Sequence, residues 1–593
     1  MKRKDILEKY KWDLSDIYKS RKDEENDLKR FNSLIEKISK FKGKLLNDSK
    51  TLKEFFDLTR EIQAILDRSE AYNSASLNVE LDNSEASEGL DRVENLINQY
   101  NEAISFVCPE ILSSDFATIS KLIANDDDLK KLDKYFNDLF RSKEHLLSEN
   151  EEKILSGLQL VLEGYRKSNT YMIDKEIDYG SIEIDGEEVL ITASNIPRYL
   201  SDKDRNVRKR VFELEGKAVS KHVDSLATNL ISFIKGLECE AKYRHFKNGL
   251  EKRFFDDDLD LKVYETLIKS VPLYKDFYKK YVQLFTHELG YEELYVYDLN
   301  APLFENSTKK YTVEEAKDII LNTFSILGDE YLDVLKLAFE KKCIDYYPAD
   351  NKSTGWYCMY SSCTIPKVFA NFEGRILDIS SLSHELGHFC NQYLSMKENI
   401  PEYCYHSVFC AEVASLTNEI LFSYLYQTED KETKLQLLFN FVKTFAANFF
   451  GSARQALFEE SIHALAGAGE PLGSEILNNL WLETAKNVFG EEVKGFSAYS
   501  WSFISHFFLS GGFYVYNYST AIIAATNVAS KILNKEEGIL KKYMEFLKVG
   551  SKMRPQECLS IIGIDMCDTK TYDNAIKFFS DAIDELKKIK EER

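Results

Sequence analysis

The sequence predicts a mostly α-helical protein with at least two lobes. Nine prolines and 25 glycines are few chain breakers for 593 residues, and abundant Leu, Lys, Glu and Ile favour helices. Apolar residues make up 44% of the chain and charged residues 30%, a balance typical of a folded protein with a large solvated surface. Because this length exceeds what one hydrophobic core usually organises, we expect more than one lobe.

The N-terminal part of the chain predicts successive amphipathic helices. Residues 1–180 carry apolar side chains at helical spacing. Asp48 and Ser148 each precede such a stretch, where a side-chain oxygen can cap the first helical turn.

A β-hairpin is predicted at the end of this helical part. Residues 178–191 alternate between apolar and polar side chains around Asp185-Gly186, a strong hairpin signal. We therefore expect an N-terminal helical domain over 1–200, which contains this hairpin, and a second domain over 201–593.

A second extended segment is predicted in the middle of the chain. Thr364–Phe372 reads TIPKVFANF, which is typical of a strand, and Glu373-Gly374 follows as a turn. The pentapeptide at 384–388 begins within a dozen residues of this turn, in a segment that is predicted to be helical from Ser380 onward. We expect a small β-sheet next to the helix that carries this pentapeptide.

Charge and composition exclude several classes of partner. The net charge of −21 argues against a nucleic-acid partner, because phosphates would be repelled. The basic N-terminal residues have no apolar run behind them, and no stretch of about eighteen apolar residues occurs. We therefore expect neither a signal peptide nor a membrane span, and a cytoplasmic location. The ten cysteines lack a CxxC pair, which predicts reduced thiols; the oligomeric state is not predicted.

Residues 384–388 read His-Glu-Leu-Gly-His. Residues four apart share one face of a helix, so His384 and His388 can direct their imidazoles at a single ion. Glu385 is placed to hold a water on that ion and to take its proton. This spacing is the HExxH pattern of zinc metallopeptidases.

A catalytic zinc ion needs a third protein ligand and one open position. Glu412 follows His388 by 24 residues in a helical context, and a returning helix could bring its carboxylate to the same ion. Glu419 lies two turns further on the same face and is a candidate hydrogen-bond partner for a ligating histidine.

Structural explanations compete with this interpretation. His384 and His388 could be partly buried histidines on a core-facing helix, and Glu412 could be a solvated helix carboxylate. The segment from Thr286 to Tyr291 repeats the first four letters of the motif and then has tyrosine in place of the second histidine. It cannot form the two-histidine grip, and we interpret it as structural.

Segments spread over the whole chain resemble oligoendopeptidase F, within the wider thimet-oligopeptidase-like family of zinc metallopeptidases. They read YKWDLSDIY, HLLSENEEKIL, SDKDRNVRKRVF, SLSHELGHFCNQY, AEVASLTNE and HFFLSGGFYVYNYSTA. The zinc motif followed by an AEVAS-type glutamate is the most specific of these signals.

The resemblance implies that His384, His388 and Glu412 bind one Zn²⁺ per chain and that Glu385 is the general base. It also implies a multi-helical, two-lobed zincin-like fold that encloses a deep substrate channel, with the catalytic domain in 201–593. Such a channel would admit short peptides and exclude folded proteins.

The same resemblance extends to an aromatic-rich segment near the C-terminus. His506 matches a family histidine that precedes a glycine-rich loop, and Tyr518 matches the last of the tyrosines after it, which stabilise the transition state. Val515 stands where a relative would have tyrosine, so Tyr514 is the substitute and Tyr516 the reserve. The competing interpretation is an aromatic core helix without a catalytic role.

The predicted function is a zinc-dependent endopeptidase for short oligopeptides. An exposed edge strand at Thr364–Phe372 could pair with an extended peptide through backbone hydrogen bonds; an internal strand without a ligand is the alternative. A helical zinc metallocarboxypeptidase would share the motif and the downstream glutamate, and an inactive helical binding scaffold would hold no stoichiometric zinc.

Overall fold

The computed structural model describes residues 2–304, 307–509 and 511–591, which form 25 α-helices and seven short strands. The mostly α-helical prediction is confirmed. The helices are α1 (Arg21–Ile38), α2 (Ser49–Asn78), α3 (Ser84–Ile104), α4 (Val107–Leu112), α5 (Phe116–Ile123), α6 (Asp127–Lys130), α7 (Asp133–Arg141), α8 (Glu149–Tyr171), α9 (Ile196–Leu200), α10 (Arg205–Ser220), α11 (Val223–Tyr243), α12 (Gly249–Asp256), α13 (Leu261–Ser270), α14 (Lys275–Leu289), α15 (Val313–Thr323), α16 (Asp329–Glu340), α17 (Ile376–Glu398), α18 (Val408–Leu425), α19 (Lys431–Phe445), α20 (Ser452–Ala468), α21 (Ser474–Phe489), α22 (Tyr516–Leu533), α23 (Ile539–Lys548), α24 (Pro555–Ile561) and α25 (Thr569–Glu591).

The strands form three small sheets within the described residues. They are β1 (Ser181–Ile184), β2 (Glu187–Leu190), β3 (Leu294–Tyr295), β4 (Ile344–Asp345), β5 (Tyr357–Met359), β6 (Lys367–Phe369) and β7 (Val493–Lys494). β1 pairs with β2 antiparallel, β3 with β7 parallel, and β4, β6 and β5 form a three-stranded sheet in that order.

The chain divides into two compact units, each built from three segments. Unit 1 comprises residues 1–144, 308–426 and 531–562. Unit 2 comprises residues 145–307, 427–530 and 563–593. Because helices far apart in sequence pack together in each unit, this division does not follow the predicted boundary at residue 200, which stays a prediction.

Unit 1 contains an array of N-terminal helices around one apolar core. The Asp48 side chain accepts the backbone N–H of Thr51 at 2.7 Å, so α2 begins at the predicted cap. α1, α2, α4, α5 and α7 bury their apolar faces in one cluster that includes Phe31, Ile62 and Phe136, each fully buried. The amphipathic pattern of these helices is thereby accounted for.

The three-stranded sheet of unit 1 lies against the motif helix α17, as predicted. However, the prediction of an exposed edge strand at Thr364–Phe372 was wrong. The strand covers only β6, whose three residues are all buried and which pairs with β4 on one side and β5 on the other. A short apolar run of this kind is typical of an internal strand, and β4 and β5 form the two edges of this sheet.

Unit 2 contains the predicted hairpin and its own helical core. The hairpin turn places Asp185 at φ 52° and Gly186 at φ 84°, the left-handed pair that a tight two-residue turn requires. α8 begins with the predicted cap, because Ser148 and Glu151 form a reciprocal capping box. The helices α11 and α20 pack against each other in the interior of this unit.

One described helix, α18, is long and apolar enough to cross a membrane by length and composition alone. It packs against α17 within unit 1, and 61% of it is buried there. Packing inside the protein therefore accounts for its apolar character without a bilayer.

Candidate metal centre

The HELGH pentapeptide lies inside the 23-residue helix α17. The start of α17 is held by Asp378, whose carboxylate accepts the backbone N–H of Arg375 at 2.9 Å. His384 and His388 project from the same face, with ring centroids 5.1 Å apart and planes at 75°. The helical spacing of four residues therefore brings both imidazoles to one place, as predicted.

A close contact between α17 and α18 brings the third side chain to this place. A Cβ atom on Gly387 would lie only 2.7 Å from the Ser415 Cα and 2.9 Å from the Ala414 carbonyl oxygen. No larger residue fits there without moving one helix. Asn418 adds a polar tie by donating to the Ser383 carbonyl oxygen at 3.0 Å.

His384, His388 and Glu412 form the one group among the described residues that has the ligand atoms for a metal ion. Their donor atoms all lie within 4.8 Å of one another. The Glu412 Oε2 atom is 3.5 Å from His384 Nε2 and 3.4 Å from His388 Nε2. Ligands about 2.0–2.1 Å from a tetrahedral ion are roughly 3.3 Å apart, so this set fits such an ion.

Two further side chains orient these donors. Glu419 Oε2 lies 3.2 Å from His384 Nδ1, and because a carboxylate only accepts, Nδ1 carries a proton. Nε2 is then the nitrogen that an ion would bind on displacing the proton held there. Glu419 is the partner that its spacing from Glu412 predicted. Ser415 donates its hydroxyl to Glu412 Oε2 at 2.9 Å and limits the rotation of that carboxylate.

The charges of this cluster are mutually stabilising. Burial alone would lower the pKa of His384, but its hydrogen bonds to Glu412 and Glu419 raise that pKa well above the usual range. Burial would raise the pKa of Glu412, yet the hydrogen bonds from His384 and His388 lower it well below that of an ordinary glutamate. Glu412 therefore stays ionised, which is the form that binds a cation.

Glu385 lies beside the cluster, and within the described residues no hydrogen bond joins it to the two histidines or to Glu412. It is 6% exposed, and burial raises its pKa above the usual range of a glutamate, although the neighbouring histidines oppose the shift. A carboxyl group with a raised pKa is suited to take up and return a proton near neutral pH. The edge strand β5 packs against α17. Burial, and to a lesser extent the charge of Glu385, raises the pKa of Cys358 on this strand.

The predicted histidine and tyrosines near the C-terminus form a cluster within unit 2. His506 Nε2 lies 3.0 Å from the Tyr518 hydroxyl, and the Tyr514 ring stacks on the His506 ring at 5.5 Å between centroids. Tyr516 is fully buried and packs against Phe254 at 5.0 Å. Of the two predicted alternatives, Tyr514 therefore joins the cluster and Tyr516 belongs to the core.

Two residues of the centre were not predicted from sequence. Gly387 sets the distance between α17 and α18, and Ser415 contacts the Glu412 carboxylate. The glycine inside the pentapeptide could have indicated that another helix approaches closely there. In the incomplete motif, His287 is exposed at the end of α14, which Gly290 terminates at φ 65°; its structural role stays a prediction.

The fold is mostly helical, and its HExxH helix packs against a helix whose Glu412 carboxylate lies close to both imidazoles, an arrangement that indicates a metallopeptidase. Comparisons with known proteins identify the family. Peptidase family M3 matches residues 198–578, and Oligopeptidase F matches residues 110–169. The chain therefore belongs to peptidase family M3, and its oligoendopeptidase F relatives make it a metalloendopeptidase.

Two similar relatives span nearly the whole chain. Oligopeptidase PepF of Bacillus subtilis is 30% identical over 98% of this chain and 87% of its own length. An oligoendopeptidase F homolog of Borreliella burgdorferi is 30% identical over 99% of both chains.

Solved structures share the fold. A crystal structure of a Chlamydophila abortus protein superposes with a TM-score of 0.88 at 28% identity, covering 99% of both chains. Oligoendopeptidase-F from Enterococcus faecium superposes with a TM-score of 0.75 at 23% identity, over 96% of this chain and 99% of its own.

Proposed function

We propose that this metalloendopeptidase is a zinc enzyme that cleaves short oligopeptides in the cytoplasm. The observation that carries the proposal is the donor set of two imidazoles and one carboxylate, in which the distances from Glu412 Oε2 to both Nε2 atoms match the edge length of a tetrahedral site. The relatives' names add the substrate class, since they are described as oligopeptidases and oligoendopeptidases.

The ligands in this proposal are His384, His388 and Glu412. Zinc bound there would act as a Lewis acid that polarises a water and the scissile carbonyl group. Glu419 holds His384 in the tautomer that presents Nε2, and Ser415 holds the Glu412 carboxylate. Three protein ligands leave a fourth position for water or substrate.

Glu385 acts as the general base. Its carboxylate takes the proton of the attacking water and passes it to the leaving amine. Burial favours the neutral acid and raises the pKa of Glu385, which makes its carboxylate a stronger base for the proton of the water. One carboxyl group thus carries the proton in both transfers.

His506 and Tyr518 stabilise the oxyanion that develops on the scissile carbonyl, with Tyr514 as the third member. This assignment rests on the family resemblance and on the geometry of their own cluster. Burial lowers the pKa of His506, so its imidazole is neutral at pH 7. A neutral imidazole and a phenol both carry a hydrogen that can be donated to an oxyanion while the donor itself stays uncharged.

The edge strand β5 is the candidate for peptide alignment. In the described residues its second edge carries no strand, because β6 occupies only one side. An extended peptide that pairs there would be held through its backbone, which suits broad sequence tolerance.

The decisive experiment is a digest of a peptide library, read by mass spectrometry with and without a chelator. We expect cleavage at internal bonds of short peptides, loss of activity with chelator and recovery with added zinc. Metal analysis of the purified protein should find one zinc per chain. Chelator-resistant cleavage, or removal of single C-terminal residues only, would contradict the proposal.

A further inference from the structure

The turn between His506 and the tyrosines of unit 2 has an unusual backbone. Gly511, Gly512 and Phe513 follow one another with φ of 84°, 64° and 47°. Glycine adopts this left-handed region freely, but a phenylalanine rarely does. Something outside the turn must hold Phe513 in this conformation.

A buried glutamate supplies that hold. Glu459 on α20 is 1% exposed, and its Oε1 atom accepts the backbone N–H of Phe513 at 2.7 Å. Its other oxygen, Oε2, has no hydrogen-bond partner in the described part of the chain. A carboxyl group buried at this depth is unfavourable unless it is hydrogen-bonded, and the turn is where its hydrogen bond goes.

His463, one helical turn beyond Glu459, supports the other side of the turn. Its ring centroid is 4.3 Å from that of Phe513, and a Cβ atom on Gly512 would lie 3.4 Å from its Nε2 atom. His463 is itself fixed, because its Nδ1 atom is 2.6 Å from Glu238 Oε1. The turn therefore lies against two polar side chains of one helix face.

We propose that Glu459, supported by the Glu238–His463 pair, is a positioning residue that holds the turn so that His506 and Tyr518 meet. The inference rests on the proposed function, because it gives these two residues their catalytic role. Phe513 lies between His506 and Tyr518 in the sequence. Its backbone conformation sets the position at which α22 starts and therefore the position of Tyr518 on that helix. If Phe513 relaxed to a negative φ, the 3.0 Å contact between His506 Nε2 and the Tyr518 hydroxyl would be lost.

Three substitutions at one position separate the hydrogen bond from mere burial. Glu459→Ala removes the acceptor. Glu459→Asp keeps a carboxylate but withdraws it by one methylene, and it serves if the alanine variant fails to fold. Glu459→Gln keeps an oxygen at the same reach. Glu460→Ala and Glu460→Gln are matched controls, because Glu460 is the next residue on α20 and has its electrostatic contact with Glu265.

The first readout is steady-state kinetics on a peptide substrate of the zinc-loaded protein. We expect Glu459→Ala and Glu459→Asp to lower kcat roughly 10- to 100-fold with little change in KM, because misplacement by about an ångström costs that much. Zinc content should be unchanged. Glu459→Gln should retain most of the activity, and both Glu460 variants should behave like wild type.

The second readout does not depend on activity. Hydrogen–deuterium exchange read by mass spectrometry should show faster exchange of the amides from 511 to 520 in Glu459→Ala and Glu459→Asp. Glu459→Gln should protect these amides as wild type does. A merely structural role would instead accelerate exchange throughout α20 and lower the thermal midpoint of every variant alike.

The outcomes distinguish this inference from the proposed function. Unchanged kcat and unchanged exchange in Glu459→Ala or Glu459→Asp would overturn the positioning role, as would a uniform loss of protection. If wild type shows no chelator-sensitive peptidase activity, the proposed function fails, while the exchange pattern still decides whether Glu459 holds the turn.

Discussion

The candidate metal centre of unit 1 and the His506 cluster of unit 2 are built in different ways. The candidate metal ligands lie on two long helices, with His384 and His388 in the middle of α17 and Glu412 near the start of α18. One close contact at Gly387 fixes the spacing between these helices. His506 and Tyr518 flank a turn with three consecutive left-handed residues. The pairing of the two imidazoles follows from helical periodicity, whereas the conformation of the turn depends on side chains that lie elsewhere in the sequence.

This difference teaches where each site is vulnerable. The backbone hydrogen bonds of a helix fix the positions of its side chains. A single substitution among the candidate ligands should therefore remove metal binding or activity and leave the two helices in place. A turn in an unfavourable backbone region holds its conformation only while its neighbours over-determine it. The following predictions test this contrast.

The largest effect is expected for Glu385→Gln. The amide cannot take a proton, so kcat should fall by about 10²- to 10⁴-fold, while zinc content stays at one per chain because the ligands are untouched. Metal analysis and peptide turnover check this together. Glu288→Gln in the incomplete motif of α14 is the matched control and should retain activity. Wild-type turnover by Glu385→Gln would exclude it as the base.

Tyr518→Phe should come next in size. Loss of one hydrogen-bond donor to an oxyanion typically lowers kcat by about 10²-fold or more, and we expect KM and zinc content to change little. The control is Tyr516→Phe two residues away, whose ring packs in the core. Equal kcat values for the two variants would remove Tyr518 from the mechanism.

Glu419→Gln should weaken metal binding rather than the chemical step. Loss of the charge beside His384 Nδ1 should raise the zinc Kd about 10- to 100-fold, measured by competition with a chelator. At saturating zinc, most of kcat should return. Glu398→Gln, an exposed glutamate at the end of the same helix α17, is the control. An unchanged Kd in Glu419→Gln would show that this contact does not orient the histidine.

The last prediction concerns stability, not activity, at the turn of unit 2. Burial raises the pKa of Glu459 to about 8 in the folded protein, above its value of 4.5 in an unfolded chain. The folded state therefore binds the proton more tightly, and this contribution is present below pH 4.5 and is lost as the pH rises through 8. Wild type should lose on the order of a few kcal/mol of unfolding free energy from this group between pH 5 and 9.

Glu459→Gln cannot ionise and should not show that loss. Denaturant unfolding at both pH values gives the free energy of unfolding of each protein. Because the other titrating groups contribute equally to both proteins, the difference between wild type and variant reports Glu459 alone. The exposed Glu470→Gln serves as the control and should follow wild type. Parallel curves for wild type and Glu459→Gln would show that Glu459 does not titrate in this range.

Several features could be predicted because their signals are local. The caps at Asp48 and Ser148 and the Asp-Gly hairpin depend on residues within a few positions, and the structure has all three. His384 and His388 meet because helical spacing alone brings them together. The prediction at Thr364–Phe372 failed on strand order, since a short apolar run does not state which strands flank it.

By itself, the sequence determined the helical class, the two-histidine grip with Glu385 beside it, and the family through motifs spread along the chain. Only the tertiary structure decided which helices meet at Gly387, how far Glu412 lies from each imidazole, and that Glu459 reaches the turn before Tyr514. The physical reason is distance along the chain. Periodicity governs residues a few positions apart, whereas Phe513 and Glu459 are 54 residues apart and meet only because the helices between them pack.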